Sequence, residues 1–483
     1  MASAAQLRRF FGAHEQLYKG WLERLVGIGS YTRDPAGVAR QACATVELFD
    51  EILRRPNASN APPVVVRSSL VESAHPAYGP HVVIGVSSAG SGAAAAGSGA
   101  AAQSPRTFGL ISHLDTVYPD TLLGEHKFGW DDRSATDDRV LGPGTMDIKG
   151  GTLVAAMIAH ALSSPSLSPS PSGKADTGGD CTSPGPGPPG PLLAGTDTEL
   201  VVLLNAAEEE MALDFGPLCV RELGDPAGNL GCLVFEAGVV TRSNQTGPAD
   251  AYDAGQPTVA AASTVRLVTG RKGRCVWRLT ADGIEGHAGN FHREGRNAIE
   301  ELCRAVLEVS AVTDYGVGVT VNVGTITGGK GVNSIPGRAD SLVEMRAGCP
   351  DSFAGAIQAI EAIIDGGGSA EADGHPFVSH ARELTVPPWV ENDGTRELAA
   401  VYRRAAEKAG CSVATEVRAG GSDANWLWST YGCIDGCGPS GYNAHRSDPA
   451  AGDLEQEYAV WSSFATKATI GTLAVLERIH SPR

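Results

Sequence analysis

The sequence predicts an α/β protein in which helices flank a central mixed sheet and a smaller domain is inserted late in the chain. Three observations favour this architecture. Segments rich in branched residues alternate with segments whose apolar residues recur at helical spacing. Acidic or imidazole side chains follow several of the predicted strands where they end. A second alternation of strands and helices occupies residues 264–386.

The main domain is predicted to begin with helical segments over 6–28 and 38–53, where apolar residues follow the helical period. Branched residues then indicate strands over 64–70 and 78–86. Further strands are predicted at 108–111, 200–204 and 230–236, and further helices at 152–162, 394–408 and 461–479. Ligands of open α/β sheets gather at the carboxyl ends of strands, so the residues that follow these strands are the candidates for a site.

Two tracts of low complexity interrupt the main domain without dividing it. Residues 87–104 are mostly Ala, Gly and Ser, and residues 163–198 are rich in Ser, Pro and Gly. Such compositions bury too little apolar surface to order themselves, which predicts surface insertions. Residues 244–262 are polar and irregular and are interpreted as a hinge.

The inserted domain follows the order strand, helix, two strands, helix, strand. Its predicted strands are 275–281, 319–326, 338–346 and 377–385, and its helices are 297–312 and 352–364. This is the split βαβ order of a ferredoxin-like domain. The sequence therefore predicts a discontinuous domain, 1–263 with 387–483, and an inserted domain, 264–386.

Charge and composition argue against several classes of protein. The net charge of −17 disfavours a nucleic-acid binder, which needs a basic face. No apolar run reaches the roughly 18 residues of a membrane span. A nucleotide-binding loop is disfavoured at residues 142–151, because no GK[ST] follows and Asp147 would repel phosphate. We expect a cytoplasmic protein, with an organelle as the alternative.

The first candidate residues surround the strand that ends near residue 113. His113 and Asp115 are two positions apart, so in a strand their side chains point the same way. An imidazole supported by a carboxylate suits a first-row divalent metal. Asp147 lies in a Gly-rich turn that opens into a helix, where the backbone can approach a ligand closely.

Further candidates follow later strands, namely Glu208, Glu209, Glu236 and His445. Nitrogen and oxygen donors without Cys suit Zn²⁺ or a relative such as Mn²⁺ or Co²⁺. So many carboxylates would repel one another without cations, and two metals sharing a carboxylate are the simplest solution. Such pairs polarise a carbonyl and generate hydroxide near neutral pH. Taken alone, each residue also has an ordinary explanation, such as a solvated charge run.

Several short stretches occur together in a fixed order. They are SHLDTVYP (112–119), GPGTMDIKGG (142–151), NAAEEE (205–210), LVFEAG (233–238), GHAGNFHREGRNAI (286–299), VNVGTITGGKGVNSIP (321–336), VEMR (343–346), GGSDAN (420–425) and GPSGYNAH (438–445). In these stretches the chain resembles the dizinc aminoacylase and glutamate carboxypeptidase family, which includes acetylornithine deacetylase and succinyl-diaminopimelate desuccinylase. The resemblance implies a zinc-peptidase-like catalytic domain with an inserted lid and dimerisation domain.

The resemblance also implies a role for each metal-site candidate. His113 and Glu236 would hold one Zn²⁺, Glu209 and His445 the other, and Asp147 would bridge the two, with Co²⁺ or Mn²⁺ as substitutes. Asp115 would orient His113. Glu208 would be the general base that activates the attacking water and later protonates the leaving amine.

Residues of the inserted domain and of the GGSD turn are implied in substrate binding. In a homodimer, His287 would reach the partner's active site and stabilise the oxyanion. Asn333, Arg346, Gly421 and Ser422 would bind the substrate. Arg346 would take the free carboxylate, a bidentate task that suits guanidinium.

The chain departs from the family pattern at two places. Ala207 stands where the family usually has Asp, and Glu210-Met211 replaces the usual Gly. The pair Glu209-Glu210 therefore remains an alternative for the base and the ligand. After His445 the family commonly has a Glu three or four residues on, whereas this chain has Arg446, Ser447 and Asp448.

The predicted function is that of a dinuclear zinc hydrolase that cleaves an amide bond next to a free carboxylate. Its substrate would be a small peptide or an N-acyl amino acid. The segments GRKG (270–273) and GPSG (438–441) resemble the glutamate carboxypeptidase branch. The alternatives are an N-acyl amino acid deacylase or dipeptidase with the same metal site, and a catalytically silent dimeric binding or scaffold protein.

Overall fold

The chain divides into two structural units. The computed structural model describes residues 2–54, 64–88, 105–119, 128–131, 138–167, 191–242, 263–367, 377–446 and 456–481. The first unit consists of Met1–Thr269, Asn392–Glu416 and Leu427–Arg483, and the second of Gly270–Glu391 and Val417–Trp426. The predicted hinge, 244–262, lies outside the described residues. Within the described part, no helix is long and apolar enough to cross a membrane.

The helices and strands are numbered along the chain. The helices are α1 (Ala4–Ala13), α2 (Glu15–Val26), α3 (Pro35–Arg54), α4 (Lys149–Ser163), α5 (Phe215–Leu223), α6 (Ala298–Ser310), α7 (Pro350–Gly367), α8 (Asp393–Lys408), α9 (Ala424–Leu427) and α10 (Trp461–Ile479). The strands are β1 (Val64–Val71), β2 (His81–Ser88), β3 (Arg106–His113), β4 (Gly129–Trp130), β5 (Arg139–Leu141), β6 (Thr198–Asn205), β7 (Asn229–Val234), β8 (Val239–Arg242), β9 (Ser263–Arg271), β10 (Gly273–Asp282), β11 (Gly286–His287), β12 (Thr320–Gly328), β13 (Ser334–Ile335), β14 (Arg338–Ala347), β15 (Val378–Val386), β16 (Cys411–Arg418), β17 (Cys433–Ile434), β18 (Gly441–Tyr442) and β19 (Tyr458–Val460).

A mixed sheet forms the centre of the first unit, with the strand order β1-β2-β6-β3-β7-β17. β1, β2 and β6 pair antiparallel, whereas β6, β3, β7 and β17 run parallel. The middle strands are apolar and buried almost throughout, as expected for strands covered on both faces. Helix α4 packs against β3 and β6, and α3 packs against β1 and β2. The predicted α/β class with a central mixed sheet is confirmed.

The register of the parallel strands brings their carboxyl ends to one edge of the sheet. His113, the last residue of β3, pairs with Asn205, the last residue of β6. On the other side, the Phe235 N–H donates to the Ile111 carbonyl at 2.8 Å. The chain segments that carry Asp115, Glu208 and Glu236 therefore all leave the sheet at this edge.

The second unit has the predicted ferredoxin-like order. Its four-stranded sheet is arranged β12-β14-β10-β15, and α6 and α7 pack against it. The side chains of alternate residues, including Trp277, Val343 and Met345, form a separate buried core with those helices. A short antiparallel pair, β11 with β13, is added to the pattern. The unit also takes in Val417–Trp426, which lies outside the predicted range 264–386.

Three sequence predictions need correction. The helical stretch 6–28 is two helices, because the chain leaves the helical conformation at His14, where φ is −109° and ψ is 12°. Strand β2 starts at His81 rather than at residue 78 and runs to Ser88, into the first low-complexity tract. The second tract is not a surface loop at its ends, since Leu167 and Leu193 are buried in the core. These apolar residues bury enough surface to order the chain on either side of a polar middle.

Candidate metal centre

Two groups of side chains in the first unit could each hold a metal ion, and they share one residue. The first group is His113, Asp147 and Glu236, and the second is Asp147, Glu209 and His445. Within each group the candidate ligand atoms lie within 4.8 Å of one another. The structure thus brings all five predicted metal-site residues into one cluster, in the pairing that the family resemblance implies.

The shared residue presents one carboxylate oxygen to each group. Asp147 Oδ1 lies 3.3 Å from His113 Nε2, and Asp147 Oδ2 lies 3.3 Å from His445 Nε2. His113 Nε2 is 3.7 Å from Glu236 Oε1, and His445 Nε2 is 3.2 Å from Glu209 Oε2. A tetrahedral Zn²⁺ with ligands at about 2.0–2.2 Å separates its ligand atoms by about 3.3–3.6 Å, so these spacings suit one ion in each group.

The chemistry of the donor set also fits divalent cations. Glu209 Oε1 is buried and has no hydrogen-bond partner among the residues that the structure describes, which is costly for a carboxylate oxygen unless a cation neutralises it. Imidazole nitrogens and carboxylate oxygens, without thiolates, are ligands that Zn²⁺, Mn²⁺ and Co²⁺ accept.

Neighbouring carboxylates raise the pKa values of the two histidines. Burial opposes protonation of His113, but hydrogen bonds to Asp115 and Asp147 outweigh it and hold the pKa well above its usual value. Hydrogen bonds to Asp147 and Glu209 raise the pKa of His445 to about 11 against the effect of burial. Burial and the charge of Asp147 raise the pKa of Glu209. The carboxylates thus favour positive charge at both histidines, which is the charge that a bound cation would supply.

Asp115 supports the cluster from beneath and is fully buried. Its Oδ1 lies 3.2 Å from His113 Nδ1, an arrangement that leaves Nε2 free as a ligand. Oδ1 also accepts the backbone N–H of Glu208 at 3.1 Å, and Oδ2 accepts that of Glu209 at 3.3 Å. The Thr32 hydroxyl donates to Oδ2 at 2.8 Å. Asp115 therefore holds both the His113 ring and the turn that carries the two glutamates.

Glu208 and Glu210, each of which belongs to only one of the two candidate pairs of base and ligand, have different surroundings. Glu208 is 7% exposed and belongs to neither metal-capable group of the described residues. Glu210 accepts hydrogen bonds from both Arg33 Nε and the Tyr78 hydroxyl, the latter at 2.9 Å. The Glu210 carboxylate is thus bound by these two partners, and Glu209 is the member of the run that joins a metal-capable group of the described residues.

His287 and Asn333 lie close together in the second unit. Strands β11 and β13 pair His287 with Ser334, and the Ala288 N–H donates to the Asn333 carbonyl at 3.0 Å. His287 Nδ1 accepts backbone N–H groups from Gly289 at 3.1 Å and from Asn290 at 3.3 Å. A neutral ring that accepts at Nδ1 carries its proton on Nε2, where it can be donated to another group.

Arg346 and the GGSD turn form a second cluster in that unit. Arg346 donates from Nε to Glu344 at 2.7 Å and from Nη1 to the Ala419 carbonyl at 3.0 Å. Gly421 accepts a hydrogen bond from Arg271 Nη1 at 2.9 Å. Ser422 is buried, and its hydroxyl accepts the Ala424 N–H at 3.2 Å at the start of α9.

Sequence reasoning missed one buried acid beside the cluster. Glu457 accepts the backbone N–H groups of Met146 and Asp147. Burial and the charge of Asp147 raise its pKa to about 7, although these backbone donors act in the opposite direction. The family commonly has a Glu three or four residues after this histidine, His445, whereas Glu457 follows residues 447–455, which lie outside the described part.

Parts of the chain are similar to known proteins. Residues 269–370 match the peptidase dimerisation domain of the M20 family. The chain is 30% identical to a succinyl-diaminopimelate desuccinylase of Bordetella petrii over 142 residues, which are 27% of this chain and 37% of that protein. It is 28% identical to a probable carboxypeptidase of Aspergillus terreus over 210 residues, 40% of this chain and 45% of that protein. The chain thus spans less than half the length of either relative.

A solved structure shares the whole fold. An M20 family metallo-carboxypeptidase from Sulfolobus solfataricus superposes with a TM-score of 0.59 over 96% of this chain and 99% of its own, at 14% sequence identity. At this identity the match speaks for the fold alone. The matched dimerisation domain, the two partial relatives and the shared fold together make the chain similar to the M20 aminoacylase and carboxypeptidase family.

Proposed function

We propose that the protein is a dinuclear zinc hydrolase that cleaves an amide or peptide bond next to a free carboxylate, as glutamate carboxypeptidases do. The pair of metal-capable groups that share Asp147 carries the proposal. A shared carboxylate between two ions is the arrangement that two-metal hydrolases use. The names of the two relatives, a desuccinylase and a probable carboxypeptidase, agree with amide hydrolysis.

The residues of the candidate site have separate roles in this proposal. His113 and Glu236 would hold one ion, Glu209 and His445 the other, and Asp147 both. When bound, the ions supply polarisation of the scissile carbonyl and an activated water. Glu208 takes the proton of the attacking water and returns it to the leaving amine, since its backbone is fixed by Asp115 and its carboxylate lies outside both metal-capable groups.

Residues of the second unit bind and polarise the substrate in this proposal. His287, with its Nε2 proton free to donate, stabilises the oxyanion in the site of the other subunit. Arg346 binds the substrate carboxylate. Arg346 donates to Glu344 from Nε and Nη2 and to the Ala419 carbonyl from Nη1, and the second N–H of each Nη is proposed to make the bidentate contact. Asn333, Gly421 and Ser422 shape the same binding region.

A homodimer is part of the proposal. The match to a dimerisation domain over residues 269–370 supports it. Light scattering of the purified protein in solution tests it, with twice the mass of the 49.8 kDa chain as the expected result. A cytoplasmic location is also proposed and is tested by cell fractionation.

A second candidate is an N-acyl amino acid deacylase with the same metal site. The partial match to a desuccinylase, a name that denotes removal of an N-succinyl group, favours it. The two candidates differ in the group on the acyl side of the bond and share the metal cluster.

A substrate panel separates the candidates. The metal-loaded protein is tested on peptides and conjugates with a C-terminal glutamate, on N-acetyl and N-succinyl amino acids, and on dipeptides, each with and without chelator. We expect chelator-sensitive release of C-terminal glutamate. Preferential cleavage of N-acyl amino acids would select the deacylase. Two tightly bound ions without turnover on any substrate would indicate the silent binding protein.

A further inference from the structure

The Glu457 carboxylate accepts hydrogen bonds from the backbone of the turn that carries Asp147. Its Oε1 accepts the N–H groups of Met146 at 2.8 Å and of Asp147 at 2.9 Å, and its Oε2 accepts that of Gly144 at 3.1 Å. Its own carbonyl accepts the Gly142 N–H at 3.0 Å. The side chain is buried, with the residue only 1% exposed, so water does not compete for these hydrogen bonds.

The turn needs these hydrogen bonds because its glycines constrain the backbone only weakly. Gly142 and Gly144 adopt φ values of 138° and 79°, which only glycine reaches at low cost. Within the turn, the Thr145 N–H and hydroxyl both bond to the Gly142 carbonyl, at 3.1 and 2.8 Å. These bonds close the first part of the turn, whereas Glu457 holds the part that leads directly into Asp147.

Both carboxylate oxygens of Asp147 lie near candidate ligands, so the contacts that fix its position act on its backbone. Its two carboxylate oxygens face different histidines, one 3.3 Å from His113 and one 3.3 Å from His445. Both oxygens are thus directed at the metal-capable groups. The hydrogen bond from the Asp147 N–H to Glu457 fixes the backbone end of the same residue.

Glu457 also connects the segments that carry two of the candidate ligands. It directly precedes β19, which pairs with β5 on one side and with β18 on the other. β5 leads into the turn of Asp147, and β18 leads into the segment that ends at His445. The Asn443 amide, which lies between β18 and His445, donates to the Gln456 carbonyl at 3.3 Å.

We infer that Glu457 is a positioning residue of the metal centre: its carboxylate fixes the turn of Asp147 so that one carboxylate can serve two divalent cations. It touches neither the substrate nor the reacting atoms and acts through Asp147. The inference rests on the proposed function only in requiring that the five candidate ligands bind two ions.

The test measures metal affinity apart from turnover. Apo protein is prepared by chelation and titrated with Zn²⁺ against a competing chelator of known affinity, for the wild type, Glu457→Gln and Glu457→Asp. Glutamine replaces one acceptor oxygen with an N–H donor that faces backbone N–H groups. Aspartate keeps the charge but shortens the reach. Glu477→Gln is the matched control, because it removes a partly buried carboxylate of α10 that is bound to Arg404 and Lys408 of α8.

We expect Glu457→Gln to weaken the binding of at least one ion by about 10–100-fold, the usual effect of losing a group that orients a metal ligand. Glu457→Asp should lose less, and Glu477→Gln should bind both ions like the wild type. Thermal unfolding of the apo forms separates positioning from folding, because a purely structural role would lower the apo melting temperature without changing metal affinity. If Glu457→Gln does not fold, Glu457→Asp carries the test.

If either Glu457 variant folded and bound two ions with wild-type affinity, that result would overturn the inference. So would a wild type that binds fewer than two ions, which would also end the dinuclear proposal. A wild type that binds two ions but cleaves no substrate, with weaker binding in Glu457→Gln, would support the positioning role and reject only the proposed hydrolase activity.

Discussion

Asp147 is the residue at which the two metal-capable groups meet. Its two oxygens lie 3.3 Å from different imidazoles, and the remaining carboxylates, Glu209 and Glu236, are divided between the groups. His445 reaches its group from a left-handed backbone conformation with φ of 61°, which is uncommon for residues other than glycine. Such conformations persist where surrounding structure enforces them, often at functional sites.

Glu208→Gln is expected to lower kcat by about 10²–10⁴-fold, because an amide cannot accept the proton of the attacking water. Metal content should stay at the wild-type level, since Glu208 belongs to neither metal-capable group of the described residues. Steady-state kinetics together with elemental analysis of the purified variant check both parts.

Glu210→Gln is the matched control for that variant. It removes a carboxylate bound to Arg33 and Tyr78 and should leave kcat within a few-fold of the wild type. If Glu210→Gln were inactive and Glu208→Gln active, the alternative pair Glu209-Glu210 would replace the assignment proposed here.

At the scale of elements, apolar residues at the edge of the second low-complexity tract attach it to the core. Leu193 is fully buried, and the Leu193 N–H donates to the Leu162 carbonyl at the end of α4, at 3.1 Å. The tract is therefore tied to the same helix that begins just after Asp147.

Leu193→Ala should destabilise the protein by about 2–5 kcal/mol, because it leaves a cavity in a packed core. Urea unfolding measures the change in the free energy of unfolding. Leu213→Ala, at a position 57% exposed, should change stability by less than about 0.5 kcal/mol. Equal effects of the two substitutions would show that Leu193 is not part of the core.

The exposed face of the β12-β14-β10-β15 sheet carries a charge cluster that predicts acid sensitivity. Glu344 receives hydrogen bonds from Arg346 at 2.7 Å and from Arg274 at 2.6 Å. Burial alone would raise the pKa of Glu344, but the two guanidinium groups outweigh it and lower the pKa below the usual 4.5. A carboxyl group with a lower pKa in the folded state stabilises the protein above its unfolded pKa and loses that contribution as pH falls.

Stability is therefore expected to fall as pH drops below 4.5, the ordinary pKa of the group, toward its lower folded value. Glu344→Gln should be less stable at pH 7, because two arginines then lack their shared counter-charge, and its loss of stability on acidification should be shallower. Urea unfolding at a series of pH values measures this. Glu308→Gln, at an exposed position on α6, should follow the wild-type profile, and a Glu344→Gln profile parallel to the wild type would contradict the prediction.

At the scale of the whole molecule, metal ions are expected to stabilise the fold that they join. The candidate ligands come from segments far apart in the chain, between His113 and His445, so an ion that binds them stabilises only the folded state. Binding at a hundred times the dissociation constant adds about 2.7 kcal/mol to the free energy of unfolding.

Chelation should therefore lower the melting temperature by several degrees, and Zn²⁺ should restore it. The physical reason is that Asp147, Glu209 and Glu236 then converge with only protonated histidines to offset their charge. Calorimetry with and without chelator checks the shift, and Mg²⁺, which prefers oxygen ligands and octahedral geometry, is the control ion. An unchanged melting temperature after verified metal removal would contradict the prediction.

Much of the fold was predictable because periodicity is local. The helices near 38–53 and 461–479 and the strands near 275–281 and 338–346 follow from apolar spacing alone, and the structure confirms them within a few residues. The break at His14 was not predictable in this way, since the apolar spacing continues through it. The separate contribution of Glu457 was also hidden, because a single acid before a short strand has no periodic signal.

The class of donor at the candidate site was predictable from the residues alone, because those that follow the relevant strands are imidazoles and carboxylates rather than thiols. The role of each of the three successive glutamates was not predictable in this way, because the three residues are chemically identical and adjacent in the chain. The assignment proposed here draws on tertiary contacts: Asp115 fixes the backbone of Glu208 and Glu209, while Arg33 and Tyr78 hold Glu210. Only folding brings these partners, distant in the chain, within hydrogen-bonding distance.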